Sequence, residues 1–201
     1  MKVCGLRDPA AVRVAVEAGA DAIGVVMHPR SPRHVEDDTA RALVAEAAGA
    51  LDTVLVVKDM PALEAAQTAR LIGADVVQLH GTYSSHDYAA ARDVAGRMWR
   101  ATHLDGHTTR RVGTYGEEVL LLDAPVPGSG ERWDLAALQQ HPIEGRWLLA
   151  GGLGPANVAE AIRLAQPWGV DVSSGVESAP GVKDHDLIRT FVAAARAAGS
   201  R

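Results

Sequence analysis

The sequence predicts an α/β fold, a single (β/α)8 TIM barrel over residues 1–201. Three observations carry this. Apolar β-branched runs recur at residues 2–4, 22–26, 53–57, 75–79, 97–101, 119–123, 147–151 and 169–173, and their starts lie 20 to 31 residues apart, about one strand–helix unit each. The runs are continuous rather than alternating, which implies strands buried on both faces of a parallel sheet. Between them lie Ala-rich stretches of helical period, such as Val12, Val16 and Ala20, or Val158, Ile162 and Ala165. Eight units in 201 residues stand at the lower size limit of the barrel. An open doubly wound sheet is the competing architecture, but it more often uses about five or six strands.

Boundary residues agree with these spans. Asp8-Pro9 and Gly154-Pro155 each set a capping residue before a proline at the first helical position. Gly19-Ala20-Asp21, Gly73-Ala74-Asp75 and Gly169-Val170-Asp171 each set Gly where a helix should end and a strand begin. The fifth helix, around residues 108–115, has the faintest periodicity. No linker or low-complexity stretch interrupts the sequence, so one domain is expected.

Composition narrows the function. The net charge is −5 and no stripe of Lys and Arg forms, so nucleic acid is not an expected partner. The single cysteine excludes an internal disulfide and a Cys-pair zinc site, and none of the eight His pairs with Asp, Glu or Cys at ligand spacing. No metal is expected. The chain opens into Lys2-Val3-Cys4 without a basic-then-apolar leader, and no run reaches membrane-spanning length. A soluble, cytoplasmic protein is the expectation, as monomer or homodimer.

In a barrel, function lies at the carboxyl ends of the strands. Those ends read Cys4, His28 to Arg33, Lys58-Asp59, His80-Gly81, His103, Asp123, Gly151-Gly152 and Ser173-Ser174-Gly175. Gly151 and Gly152 follow strand seven; Ser173, Ser174 and Gly175 follow strand eight. These are the two loops in which barrels frequently bind phosphate through backbone amides. One Gly-Gly pair alone reads as a tight turn, but two such loops in the two expected places point to an anion. Asp123 follows four apolar residues, Val119 to Leu122, and partial desolvation there would raise its pKa toward that of a general acid. The same aspartate also fits a loop start that caps a turn. Cys4 fits an inert core thiol, yet its place before Gly5 at a strand end also suits a base, given nearby cations. Arg33, in the rigid Pro29-Arg30-Ser31-Pro32-Arg33 loop, suits bidentate capture of a carboxylate, or a solvated surface charge. Arg30 reads as surface, and His80 as a loop hydrogen-bonder.

Taken together, Lys2-Val3-Cys4-Gly5-Leu6, Pro29-Arg30-Ser31-Pro32-Arg33, Val77-Gln78-Leu79-His80-Gly81, Leu121-Leu122-Asp123, Gly151-Gly152-Leu153 and Asp171-Val172-Ser173-Ser174-Gly175-Val176-Glu177 resemble the phosphoribosylanthranilate isomerase family of tryptophan biosynthesis. The matches are collinear, and the last extends through Pro180-Gly181-Val182-Lys183-Asp184. The resemblance implies a cofactor-free barrel that performs an Amadori rearrangement on a small phosphosugar. It implies Asp123 as general acid and Cys4 as general base. Arg33 would lie near the anthranilate carboxylate, Asp171 would contact substrate, and amides near Gly152, Ser174 and Gly175 would take the phosphate. Asp171 also belongs to the Gly-x-Asp pattern, so a structural role stays open for it.

There are departures. Arg7 stands where the family usually has Thr, and Val56-Val57-Lys58-Asp59 stands near its Phe-Val-Asn. Pro127 replaces a Gly in the loop Pro127-Gly128-Ser129-Gly130. Two rivals remain: an isomerase of the histidine-pathway aminoaldose, alone or with dual specificity, and a phosphosugar-binding barrel without catalysis. Histidine-pathway barrels carry an aspartate where Cys4 stands, which argues against the first. The second would need the anion loops but no positioned acid and base.

Overall fold

A computed structural model describes residues 1–47, 49–103, 110–123 and 142–199. Eight strands close a parallel barrel in sequence order: β1 (Lys2–Cys4), β2 (Ala22–Met27), β3 (Asp52–Val57), β4 (Val76–His80), β5 (Met98–His103), β6 (Val119–Asp123), β7 (Trp147–Leu149) and β8 (Gly169–Val172). Closure joins the first strand to the last, since Lys2 pairs with Asp171 and Val3 with Val172. The described helices are α1 (Pro9–Ala18), α2 (Asp37–Ala47), α3 (Ala62–Ile72), α4 (Ser85–Ala95), α5 (Val158–Ala165) and α6 (His185–Gly199).

Local chemistry explains most boundaries. The Asp8 carboxylate accepts from the Ala11 amide and Pro9 occupies the first turn of α1. Gly19 and Gly73 end α1 and α3 in the left-handed conformation, as their positions predict. Two expected boundaries are corrected. Pro155 does not begin a helix: residues 155–157 form a turn and α5 starts at Val158. Gly169 does not end a helix either. Gln166 caps α5 at φ 49°, while Gly169 opens β8, where a Cβ would meet Leu148 Cδ2 at 2.8 Å. A third correction concerns the fifth helix. Residues 110–115, its described part, are turns and a bridge from Arg111 to Glu144. The loop around Pro127 lies outside the described residues. So does the remainder of that helix.

The period-two alternation of a strand divides the core into two shells. Cys4, Val26, Val54, Val56, Val76, Trp99, Ala101, Val119, Leu121, Leu148 and Ala150 fill the barrel interior. Alternate residues such as Val3, Ile23, Val25, Leu55, Leu79 and Leu120 pack outward with helix residues Leu43, Ala66, Ile188 and Phe191. Burial on both faces is why the strands read as unbroken apolar runs. An element absent from the sequence reading follows β8: a short 3-10 turn, Ser174–Val176, leads into the antiparallel pair β9 (Glu177–Ala179) and β10 (Val182–Lys183). Its turn is the Pro180-Gly181 dipeptide.

Candidate active site

Strand parity aims the polar side chains. Val119, Leu121 and Asp123 alternate along β6 into the barrel, and Val76, Gln78 and His80 do so along β4. Lys2 and Cys4 share that face of β1. At the carboxyl ends these side chains converge on a cleft of about 230 Å³, lined by Cys4, His28, Arg33, Lys58, Gln78, His80, Asp123, Asp171 and Ser173. A second lobe of about 140 Å³ lies beside it, lined by Gly151, Gly152, Leu153 and Ser174, and shares Arg33, Asp123, Asp171 and Ser173 with the first. The barrel therefore brings together eight of the nine candidate residues. Gly175 lines neither lobe. Its missing side chain lets the 3-10 turn close on the preceding loop, since a Cβ there would stand 1.8 Å from the Leu153 carbonyl oxygen.

The thiol sits at the floor of the larger lobe, only 7% exposed. Burial pushes Cys4 above the ordinary thiol range, with the Asp171 carboxylate acting the same way, while the Lys2 and Lys183 ammonium groups pull it back. Lys2 Nζ donates to Asp171 Oδ1 at 2.8 Å. Burial by itself would lower the Lys2 pKa, but Asp171 and Cys4 hold it above its usual value.

Arg33 reaches the cleft with its fork engaged. Nε and Nη2 donate to the Glu177 carboxylate at 2.7 and 2.8 Å, and Lys183 Nζ donates to the same carboxylate at 2.8 Å. Lys183 also donates to the Ser173 carbonyl at 2.9 Å, and Ser173 Oγ donates to the Cys4 carbonyl at 3.1 Å. One carboxylate thus ties the loop after β2 to the segment after β8. In the smaller lobe, Asn157 holds the Gly-rich turn: its Oδ1 accepts from the Gly154 amide and its Nδ2 donates to the Gly152 carbonyl. Gly151 and Gly152 have φ of 85° and 65°, a turn geometry that suits residues lacking a side chain.

Sequence reasoning missed the roles of Lys2, Asn157, Glu177 and Lys183, and of Gln78, which lines the cleft with its Oε1 buried and without a partner among the described residues. For Lys2 and Gln78 a signal existed: each is a polar residue at an inward position of an apolar strand. The others depend on contacts between distant loops. Among the described residues no cluster of His, Cys, Asp and Glu has metal-binding geometry.

His80 proves more than a loop residue, as its Nε2 lies 4.0 Å from Asp123 Oδ2. Burial first, then the Lys58, His103 and Lys2 charges, pushes its pKa down to about 4. An NMR pH titration is therefore expected to show the His80 ring neutral down to about pH 5, and a midpoint near the unperturbed ~6.5 would contradict this. The unfolded chain binds that proton first. His80 accordingly contributes stability above about pH 6.5 that is lost as pH falls toward about 4.

Comparison with known proteins bears on this arrangement. Residues 1–194 match the family model described as N-(5'phosphoribosyl)anthranilate (PRA) isomerase. The N-(5'-phosphoribosyl)anthranilate isomerase of Paracoccus denitrificans is 42% identical over 210 residues, covering 98% of this chain and 97% of that protein. The crystal structure of TrpF from Jonesia denitrificans superposes with a TM-score of 0.92 at 54% identity, covering 99% of this chain and 97% of that one. A phosphoribosyl anthranilate isomerase solved in complex with reduced 1-(o-carboxyphenylamino)-1-deoxyribulose 5-phosphate superposes with a TM-score of 0.85 at 30% identity, covering 98% and 97%. A fold match alone would leave function open; full-length identity at this level does not. The chain belongs to the N-(5'-phosphoribosyl)anthranilate isomerase family.

Proposed function

We propose that this barrel converts N-(5-phospho-D-ribosyl)anthranilate into 1-(2-carboxyphenylamino)-1-deoxy-D-ribulose 5-phosphate by general acid/base catalysis, as a step of tryptophan biosynthesis. The observation that carries the reading is a single cleft lined by both Cys4 and Asp123, with an amide-walled lobe beside it.

Asp123 protonates the furanose ring oxygen, the bond from that oxygen to C1′ breaks, and a protonated imine forms. Cys4, as thiolate, takes the C2′ proton. The electron pair of that C–H bond moves to the imine, giving an enolamine that tautomerises to the ketone. Two groups of unlike chemistry can hold acid and base roles without sharing a proton. The amides around Gly151, Gly152, Ser174 and Gly175, with Ser173, take the phosphate. Asp171 contacts the sugar side of the cleft. Arg33 offers the anthranilate carboxylate its Nη1, the edge of the fork not engaged by Glu177.

The enzyme acts as one domain, a monomer or homodimer in the cytoplasm; no described helix is long and apolar enough to cross a membrane. A lone cysteine working as a base suits a reducing compartment. The test is direct. Mixing purified protein with freshly formed phosphoribosylanthranilate should abolish anthranilate-type fluorescence at an enzyme-dependent rate. No decay above the spontaneous rate would overturn the proposal.

A further inference from the structure

A base buried in an apolar barrel needs a counter-charge in its thiolate form, and the buried Lys2 ammonium on the same strand is placed to supply it. Gly24 marks the spot. A Cβ on that residue would stand 2.6 Å from Cys4 Sγ and 3.1 Å from Lys2 Cε, so both side chains occupy the hollow that Gly24 leaves. The Lys2 ammonium donates to Asp171 at 2.8 Å, Lys2 is 1% exposed, and its charge favours the thiolate form of Cys4.

We propose that Lys2 is a positioning residue for proton transfer at Cys4: its buried ammonium, held in place by Asp171, offsets the thiolate charge until the C2′ proton reaches the sulfur. The proposal rests on Cys4 being the base. In that transfer the C2′–H bond breaks and an S–H bond forms. The sulfur loses its negative charge, and the ammonium keeps Asp171 as its partner, so no charge is left uncompensated in the interior.

The other charged groups around the sulfur fit this less well. Lys183 from β10 and Arg33 from the loop after β2 also feel Cys4 and share the single Glu177 carboxylate, but the atoms nearest a Cβ on Gly24 belong to Cys4 and Lys2, not to either of them. Asp171 from β8 opposes the thiolate. His80 from β4, which lines the same cleft with His28, Lys58 and Asp123, is held neutral.

Cys4 is the sole cysteine, so iodoacetamide alkylation reads its thiolate directly. Lys2→Met should move the alkylation midpoint upward by about one to three pH units. It should lower kcat about tenfold or more at neutral pH with little change in KM, with activity returning as pH rises. Lys2→Arg should retain most of the wild-type profile. Should Lys2→Met not fold, because Asp171 is left unpaired, the same upward shift should separate Lys2→Met/Asp171→Asn from Asp171→Asn. An alkylation profile unmoved in these folded variants overturns the proposal while leaving Cys4 as base untouched. Undiminished turnover in Cys4→Ala overturns the base assignment, and the proposal with it.

Discussion

Cys4→Ala and Asp123→Asn are each expected to lower kcat by about 10²- to 10⁴-fold, the usual share of a positioned acid or base. Binding of the reduced product analogue should persist within about tenfold. The expectation follows from placement. Both side chains line the larger lobe, and although Asp123 also borders the smaller one, the amides that would hold phosphate belong to the loops after β7 and β8. Truncating Cys4 removes the acceptor for the C2′ proton without disturbing Gly152, Asn157 or Ser174. Replacing Asp123 leaves an isosteric amide that cannot give up a proton. Pre-steady-state mixing with calorimetry on the same variants separates the two effects. Normal turnover in either variant would strike that residue from the mechanism, and a parallel collapse of analogue affinity would reassign it to binding.

Glu177→Leu is expected to destabilise the fold by about 3–5 kcal/mol, or roughly 10 °C in Tm. The Glu177 side chain is 5% exposed and the Lys183 side chain is fully buried, so removing the carboxylate strands a buried ammonium. It also frees Arg33 and uncouples the loop after β2 from the hairpin after β8. Lys183→Met in the same background should recover part of the loss. Glu177 also sets an acid limit. Burial alone would raise its pKa, but the Arg33 and Lys183 hydrogen bonds hold it below the usual carboxylate range in the folded chain. Its contribution is present above the unfolded value of about 4.3 and is lost as pH falls through the lower folded value. Thermal melts across acidic pH should therefore show a flatter limb in Glu177→Leu. A Tm within about 2 °C of wild type would refute the argument.

How much of this was legible beforehand depended on the range of the interaction. The eight strands were readable because burial on both faces leaves a continuous apolar run, a property of each segment alone. Asp8 and the glycines at 19 and 73 were readable because caps are made within one turn. Gly154-Pro155 misled, since the same dipeptide serves a turn as well as a first helical turn; Asn157, bonding back to Gly152 and Gly154, makes it the turn. Gly169 misled because its absent side chain answers to Leu148 on the neighbouring strand rather than to a helix end. The candidate site was recovered by position, as strand ends of a barrel must converge. Residue type alone did not distinguish the free fork expected of Arg33 from the engaged one that Glu177 makes.

Periodicity, caps and the chemistry of strand ends are written over spans of a few residues, and from them the linear chain specified a barrel, its active face and the acid and base candidates on it. The electrostatic setting of those candidates came only with closure. Lys2 meets Asp171 across 169 positions and Arg33 meets Glu177 across 144. Until β8 pairs with β1 these groups are solvated and far apart. Once buried in a shared hollow of low dielectric they govern one another's protons.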